Sequence, residues 1–463
     1  LFPIEVEHEI SVIFINEGIP NGFVPYLSFS DFDRSTFQKE KRIECEIGQL
    51  TALSRANALL PYMIALKLNR VSTSMQAGVI LMNQQIRLPI FPNSVSYSAL
   101  FGRDRNDGVS AILSRPEAKR RLFFSYGRIA LFEGLKILGV RPGVNFLVPA
   151  YVCQSAVEPF QRLGIEVRFY DVNAELHPNI DDLKAKVDGG TKGIMVINYF
   201  GFPQPLQEVK AICQAFGLFL IEDNAHGFFS LDGPRLLGTR GDIGIACIWK
   251  YLPIANGAIL YINSQSLPES MAEIVEQRSK QTSDAFLVDK ASLFFILSSL
   301  RDHLEFRYPF LLRYLRSRKA KALLSRQANY ETGGGKYETV LSKFALRMAR
   351  RMDTQHVIQE RRTNYHFWLG YFSGKKGIRF AFDKLAEGVT PAYFPLVVDN
   401  ADELIQKMTE TGLYARTWPP FPREVENNPD YPVANFLGRR LVILPVHQDV
   451  DRDRLKRALH QAD

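Results

Sequence analysis

Two short stretches carry the residue types best suited to chemistry. The first, IEDNAHGF at Ile221–Phe228, closes an apolar run with a carboxylate at Asp223. Ligands of open parallel sheets bind beyond the carboxyl ends of the strands. An acid placed there can hold a cationic ligand group such as a protonated ring nitrogen. Asp223 is preferred over Glu222, which points to the opposite face if the strand continues. His226 follows three residues later, within reach of the same ligand. Alone, this run describes a turn-opening Asp and a structural histidine equally well. The second stretch, IACIWKYLPIANGA at Ile245–Ala258, sets Lys250 between Trp249 and Tyr251. Desolvation there favours the neutral amine, the form that attacks a carbonyl carbon. Singly, Lys250 also reads as a strand-end lysine whose ammonium reaches water. The pair says more: 27 residues separate Asp223 from Lys250, the spacing of two successive strand ends.

A third candidate is the turn Ser125-Tyr126-Gly127-Arg128, which opens a helix-period run. A helix N-terminus offers unpaired N–H groups and a partial positive charge, which suits a phosphate. Arg128 would add a charge-assisted contact. No P-loop pattern occurs, and no GxGxxG follows a strand, so a dinucleotide site is not indicated. The basic run Arg313, Arg316, Arg318, Lys319, Lys321, Arg326 reads first as a solvated helix face. Contact with a diphosphate or an anionic membrane surface is its second reading. His447, in LPVHQD at Leu444–Asp449, ends a strand and reads as part of a structural turn before it reads as a substrate contact.

The elements that must position these residues alternate. Strands are expected at Phe146–Pro149, Val167–Tyr170, Ile194–Asn198, Leu218–Glu222, Ile243–Ile248 and Ala258–Ile262. Helices are expected at Ile129–Leu138, Ala156–Leu163, Ile180–Val187 and Leu206–Phe216. Such alternation implies right-handed crossovers and a mostly parallel sheet flanked by helices. Residues 266–352 read as helical and basic, broken at Gly333-Gly334-Gly335. After Asp353 come a helix with Arg361 and Arg362 and short strands such as Tyr393–Val398 and Leu441–Leu444. These read as a smaller α+β C-terminal domain. Residues 1–81 lack sustained periodicity and are expected to lie outside the catalytic fold, as an extension or as translated upstream sequence. The domain expectation is therefore 1–81, 82–352 and 353–463.

Composition narrows the class. The 463 residues include 46% hydrophobic and 23% charged residues, ordinary for a soluble globular chain. A net charge of +8 suits anionic ligands but is too modest to indicate nucleic acid. Cys45, Cys153, Cys213 and Cys247 show no zinc-ligand spacing, so reduced thiols and a cytoplasmic setting are expected. No apolar run reaches membrane-spanning length, and Ala291–Leu300 reads as a buried helix. Glu5, Glu7 and Glu9 stand where a secretory leader would be basic.

Five motifs then occur in order: GRIALFEGLKILGVRPGVNFLVPAYVCQSAV, YDVNAELHPNIDDL, NYFGFPQP, IEDNAHGF and WKYLPIANGA. Over residues 82–463 their order resembles the DegT-type nucleotide-sugar aminotransferases of pyridoxal-phosphate (PLP) fold type I. The resemblance implies PLP as cofactor and a homodimer with active sites at the subunit interface. It implies amino transfer, usually from glutamate, to a keto group on a nucleotide-linked sugar. By position it makes Lys250 the Schiff-base lysine, Asp223 the partner of the pyridine nitrogen and His226 the neighbour of the ring oxygen. Gly127 and Arg128 fall at the phosphate turn, while Tyr151 and Cys153 fall in the segment covering the ring face. Some positions depart from the pattern. Cys247 stands where a serine is frequent, Gly257-Ala258 replaces Gly-Gly, and the Asn-x-Arg-Met motif of the interface is missing, with Leu346-Arg347-Met348 its nearest trace. A PLP sugar dehydratase or lyase on the same scaffold, or a non-catalytic member, is the alternative. The lysine at 250 disfavours the dehydratase branch, where histidine holds that position.

Overall fold

The structure, a computed structural model, describes residues 10–13, 26–29, 92, 95–264 and 341–462, with scattered positions between 267 and 299. Cys45, the basic run 313–326 and the glycines at 333–335 lie outside the described residues. The chain divides into two compact units, Leu1–Gln85 and Ile86–Asp463. In the first, β1 (Ile10–Ile13) and β2 (Tyr26–Phe29) pair antiparallel, Ile10 opposite Phe29.

The second unit is built on a seven-stranded sheet. In chain order its strands are β3 (Arg120–Phe124), β4 (Asn145–Pro149), β5 (Glu166–Tyr170), β6 (Thr191–Ile197) and β7 (Phe219–Asn224). A two-stranded pair, β8 (Leu231–Asp232) and β9 (Arg235–Leu236), precedes the last two, β10 (Ile243–Cys247) and β11 (Ala258–Ile262). The spatial order is β3-β11-β10-β7-β6-β4-β5. Neighbours from β10 to β5 are all parallel. Every residue of β4 and β10 is buried, as expected when helices cover both faces of a parallel sheet. Helices Gln154–Arg162, Ile180–Lys186 and Gln207–Phe216 supply the crossovers. The last of these ends at Gly217, whose φ of +64° only glycine adopts without strain.

These elements follow the sequence expectation within a few residues at each boundary. Two features depart from it. β3 was not anticipated, because RRLFF carries two arginines and no alternation. β11 runs antiparallel to both β10 and β3. The Ile248–Gly257 connection holds no helix, and a short link can only turn the chain back on itself.

A second, antiparallel sheet follows helix Thr354–Phe372. It contains β12 (Ile378–Phe380), β13 (Tyr393–Val398), β14 (Arg416–Thr417) and β15 (Leu441–Pro445), ordered β12-β13-β15-β14. Helices Ala401–Glu410 and Pro432–Arg440 accompany it. One apolar core runs between the two sheets, from Ile129 and Ile245 to Tyr365, Phe394 and Ile443. Asp171, just after β5, joins them by a polar contact. Its carboxylate accepts from the Val433 and Ala434 N–H groups (3.0 and 2.9 Å), capping helix Pro432–Arg440 from the far sheet.

The described part of the Ala291–Leu300 run is helical, but it is not buried all round. Leu293 and Leu297, four apart and so on one face, are half exposed. Among the described residues no helix is long and apolar enough to cross a membrane.

Candidate active site

Asp223 is the fifth residue of β7, in register with Ile197 of β6 and Ile245 of β10. It therefore sits at the carboxyl end of the sheet, one strand from the segment that ends in Lys250. Glu222 points to the other face, as strand geometry requires. There it is fully buried and paired with Arg240 (2.7 Å), and it also accepts from the Asn198 amide and the Arg240 main-chain N–H, both at 2.8 Å. Among the described residues Asp223 has no such partner. One of its oxygens accepts from the Ala225 N–H (2.9 Å), and burial raises the carboxyl above the ordinary range against the pull of that bond and of Lys250.

A cavity opens beside it. Asp223, Ala225, Cys247, Trp249 and Lys250 line it together with Gly127 and Arg128. Cys153 and Trp418 also face it. Lys250 is half-buried, its Nζ 5.9 Å from the centre of a Trp249 ring. Helix Gly127–Ile137 meets the cavity at its N-terminus, where no side chain caps the first turn. A Cβ added at Gly127 would stand 3.0 Å from Cys247 Sγ, so a glycine keeps that end open. Burial pushes the Cys247 thiol up to about 11, which keeps it protonated at neutral pH.

Six of the eight sequence-predicted residues thus meet in one cavity: Lys250, Asp223, Gly127, Arg128, Cys153 and Cys247. The other two are buried next to it and are not among its lining residues. Tyr151 is fully buried; its hydroxyl donates to the Trp418 carbonyl, and its ring meets Trp418 edge-on at 5.4 Å. His226 lies against Phe200 (5.8 Å, nearly parallel) and edge-on to Trp418 (5.1 Å). Burial, with Lys250 and Arg416 nearby, holds His226 well below the usual histidine range, so it is neutral. His447 is buried, and its Nδ1 accepts from the Asp449 N–H (3.2 Å) within the turn that follows β15. Sequence reasoning missed Trp418, and it gave no role to Tyr126 and Ala225 within the motifs that hold them. Trp418 follows β14 and carries no local motif; only the tertiary fold brings it to Asp223.

Residues 118–291 match a known sequence family. The matching model is that of the DegT/DnrJ/EryC1/StrS aminotransferase family, which these residues resemble. Among curated relatives, GDP-perosamine synthase of Vibrio cholerae is 24% identical over 164 residues, which are 35% of this chain and 45% of that protein. GDP-4-keto-6-deoxy-D-mannose 3-dehydratase of Escherichia coli O55:H7 is 29% identical over 106 residues, 23% of this chain and 27% of that one. The chain spans less than half the length of these relatives. A putative sugar aminotransferase, Spr1654 of Streptococcus pneumoniae in its PLP form, superposes with a TM-score of 0.59 at 14% identity. That match covers 81% of this chain and 97% of the other. The fold is therefore PLP fold type I, and the proteins that the chain resembles include one named as a sugar aminotransferase and one named as a dehydratase.

The residues present fit PLP. Among the described residues no cation is in direct contact with the buried Asp223 carboxylate, as a pyridinium partner requires. His226 Nδ1 is buried without a hydrogen-bond partner among the described residues, an orphan that a ring oxygen nearby would satisfy. The open helix end at Gly127 and the Arg128 guanidinium provide the chemistry for a phosphate.

Proposed function

We propose that this protein is a PLP-dependent aminotransferase that moves an amino group, from glutamate as donor, to a keto group on a nucleotide-linked sugar. One observation carries the reading: Lys250, the under-paired Asp223 and the open N-terminus of helix Gly127–Ile137 share a single cavity. When bound, PLP supplies an electron sink for the carbanion that amino transfer demands. Asp223 would hold the cationic ring nitrogen, His226 the ring oxygen, and Gly127 with Arg128 the phosphate. Cys247, in place of a hydroxyl, gives the phosphate end a weaker donor, so Arg128 takes a larger share of that contact.

Lys250 does the proton work. Its Nζ takes the proton from the donor's α-carbon and later delivers one to the sugar carbon that receives nitrogen. Trp249 and Trp418 line the cavity with apolar surface and keep bulk water from the reacting atoms. The family resemblance further suggests a homodimer whose partner completes the substrate site, in the cytoplasm. Residues 1–81 are read as an extension or as translated upstream sequence, residues 82–352 as a large domain and 353–463 as a small one.

The test incubates the full chain with PLP and isotopically labelled glutamate, then presents nucleotide-linked 4-keto sugars. Label in the sugar supports the proposal. A deoxygenated sugar without label would turn the reading to the dehydratase. Protein that takes up no PLP and remains colourless would end it.

A further inference from the structure

Arg361, in helix Thr354–Phe372, is completely buried. No carboxylate pairs with it among the described residues; its partners are backbone carbonyls. Nη1 donates to Pro391 O (3.1 Å) and Ala392 O (3.2 Å), and Nη2 to Lys250 O (2.8 Å) and Tyr251 O (3.3 Å). Its Cζ lies 4.3 Å from the centre of the Tyr251 ring, and its Nε has no hydrogen-bond partner. Burial lowers the guanidinium to about 10, so it remains a cation at neutral pH. A buried cation without a paired anion is costly, and an apolar side chain of similar volume would fill the space at less cost.

What the cation obtains for that cost is local. Two of its four acceptors belong to the lysine of the cavity and to the residue after it. The other two open the lead into β13 of the second sheet. Tyr251 extends the connection: its hydroxyl proton is shared between the carbonyls of His226 (2.5 Å) and Thr390 (2.8 Å). Gln448 adds a bond to Tyr251 O (3.2 Å). The lysine turn, the loop after Asp223 and the edge of the second sheet are thereby fastened at one point.

We infer that Arg361 is a positioning residue: it pins the main chain of Lys250 and Tyr251 against Pro391–Ala392, and through Tyr251 against the Asp223 loop. One guanidinium thus fixes where the reactive amine stands relative to the acid. The inference rests on the reading of Lys250 as the reactive amine of a PLP enzyme. It adds a residue that touches neither cofactor nor substrate.

The neighbouring Arg362 supplies the control. It also donates to main-chain carbonyls, Ala386 O (2.9 Å) and Val389 O (2.5 Å), but does not touch the lysine turn. Arg361→Met and Arg362→Met are prepared as full-length protein, and their melting temperatures establish the folded fraction. Borohydride reduction followed by peptide mass spectrometry then measures how much bound PLP becomes fixed to Lys250. In Arg361→Met the fixed fraction falls about tenfold or more, the scale expected when a reacting group shifts by a fraction of an ångström to an ångström. Millimolar guanidinium ion restores it, and kcat falls with KM nearly unchanged. Arg362→Met behaves as wild type in all three. Should Arg361→Met fail to fold, Tyr251→Phe removes a single hydroxyl and shows a smaller loss in the same direction. Equal fixed fractions in the two arginine variants, or in Tyr251→Phe and wild type, overturn the inference.

If the wild-type protein takes up no PLP, the proposed function fails but the clamp is still testable. Acylation of Lys250 by acetic anhydride in the PLP-free protein then decides. A severalfold change in Arg361→Met and none in Arg362→Met supports the clamp, and matching rates overturn it.

Discussion

Glu222 and Asp223 are consecutive residues of one strand, both acidic and both buried, yet they face opposite environments. Glu222 is saturated: Arg240, the Asn198 amide and a main-chain N–H occupy its two oxygens. Arg240 in turn reaches Asp232 (2.6 Å) and Asn198 (3.1 Å), so the far face of β7 is a closed polar network. Asp223 holds one main-chain N–H and otherwise lines a cavity. Burial alone does not separate a structural acid from a functional one. The separation lies in whether the fold has already supplied the counter-charge.

Lys250→Ala is the strongest probe of the cavity side. It is expected to lower amino transfer by about a thousandfold or more, with the melting temperature close to wild type. Turnover at wild-type level would show that the amine is not the proton carrier. Glu222→Gln probes the opposite face. Loss of the anion leaves Arg240 buried without its main partner, and chemical denaturation should show a loss of about 3–5 kcal/mol. Activity per folded molecule stays near wild type. If instead activity collapses while stability holds, the two faces are not independent.

Asp223→Asn should reverse that pattern, cutting turnover about a hundredfold and weakening PLP retention while leaving the fold intact. Its pH dependence has a definite sign. Folding raises the Asp223 carboxyl above its unfolded value, so the folded state holds this proton more tightly. In PLP-free protein the corresponding stability is fully present below the unfolded pKa of about 4 and lost as pH rises through the raised folded value. Melting curves of wild type and Asp223→Asn across that window should therefore differ in slope. Parallel curves would mean that Asp223 is already compensated. The smallest effect is expected from Gly127→Ala, whose methyl would press on Cys247 Sγ at 3.0 Å. About 1 kcal/mol of crowding corresponds to about fivefold weaker PLP binding, measured by absorbance titration.

Much of this site was legible before folding. Asp223 and Lys250 stand out because strand ends can be read from short apolar runs, and because 27 residues is one crossover's length. The helix at Gly127 is equally local. Tyr151 illustrates the limit: its segment brings Cys153 to the cavity, but the chain turns the Tyr151 ring into the core, where it supports Trp418. Trp418 and Arg361 reach the site from the second sheet and its leading helix. Their neighbours in sequence carry no trace of the contact, since packing across sheets sets it. β11 was expected as a strand, but its direction depended on a helix-free link that periodicity does not report.

The closed network on the far face of β7 also bears on how such a site can change over generations. Because Glu222 and Arg240 stabilise the strand without using the cavity, substitutions on the near side need not jeopardise the fold. A lineage can therefore exchange the proton carrier or reshape the cavity wall while the scaffold persists. Relatives named for a perosamine synthase and for a deoxysugar dehydratase are what such freedom would leave behind.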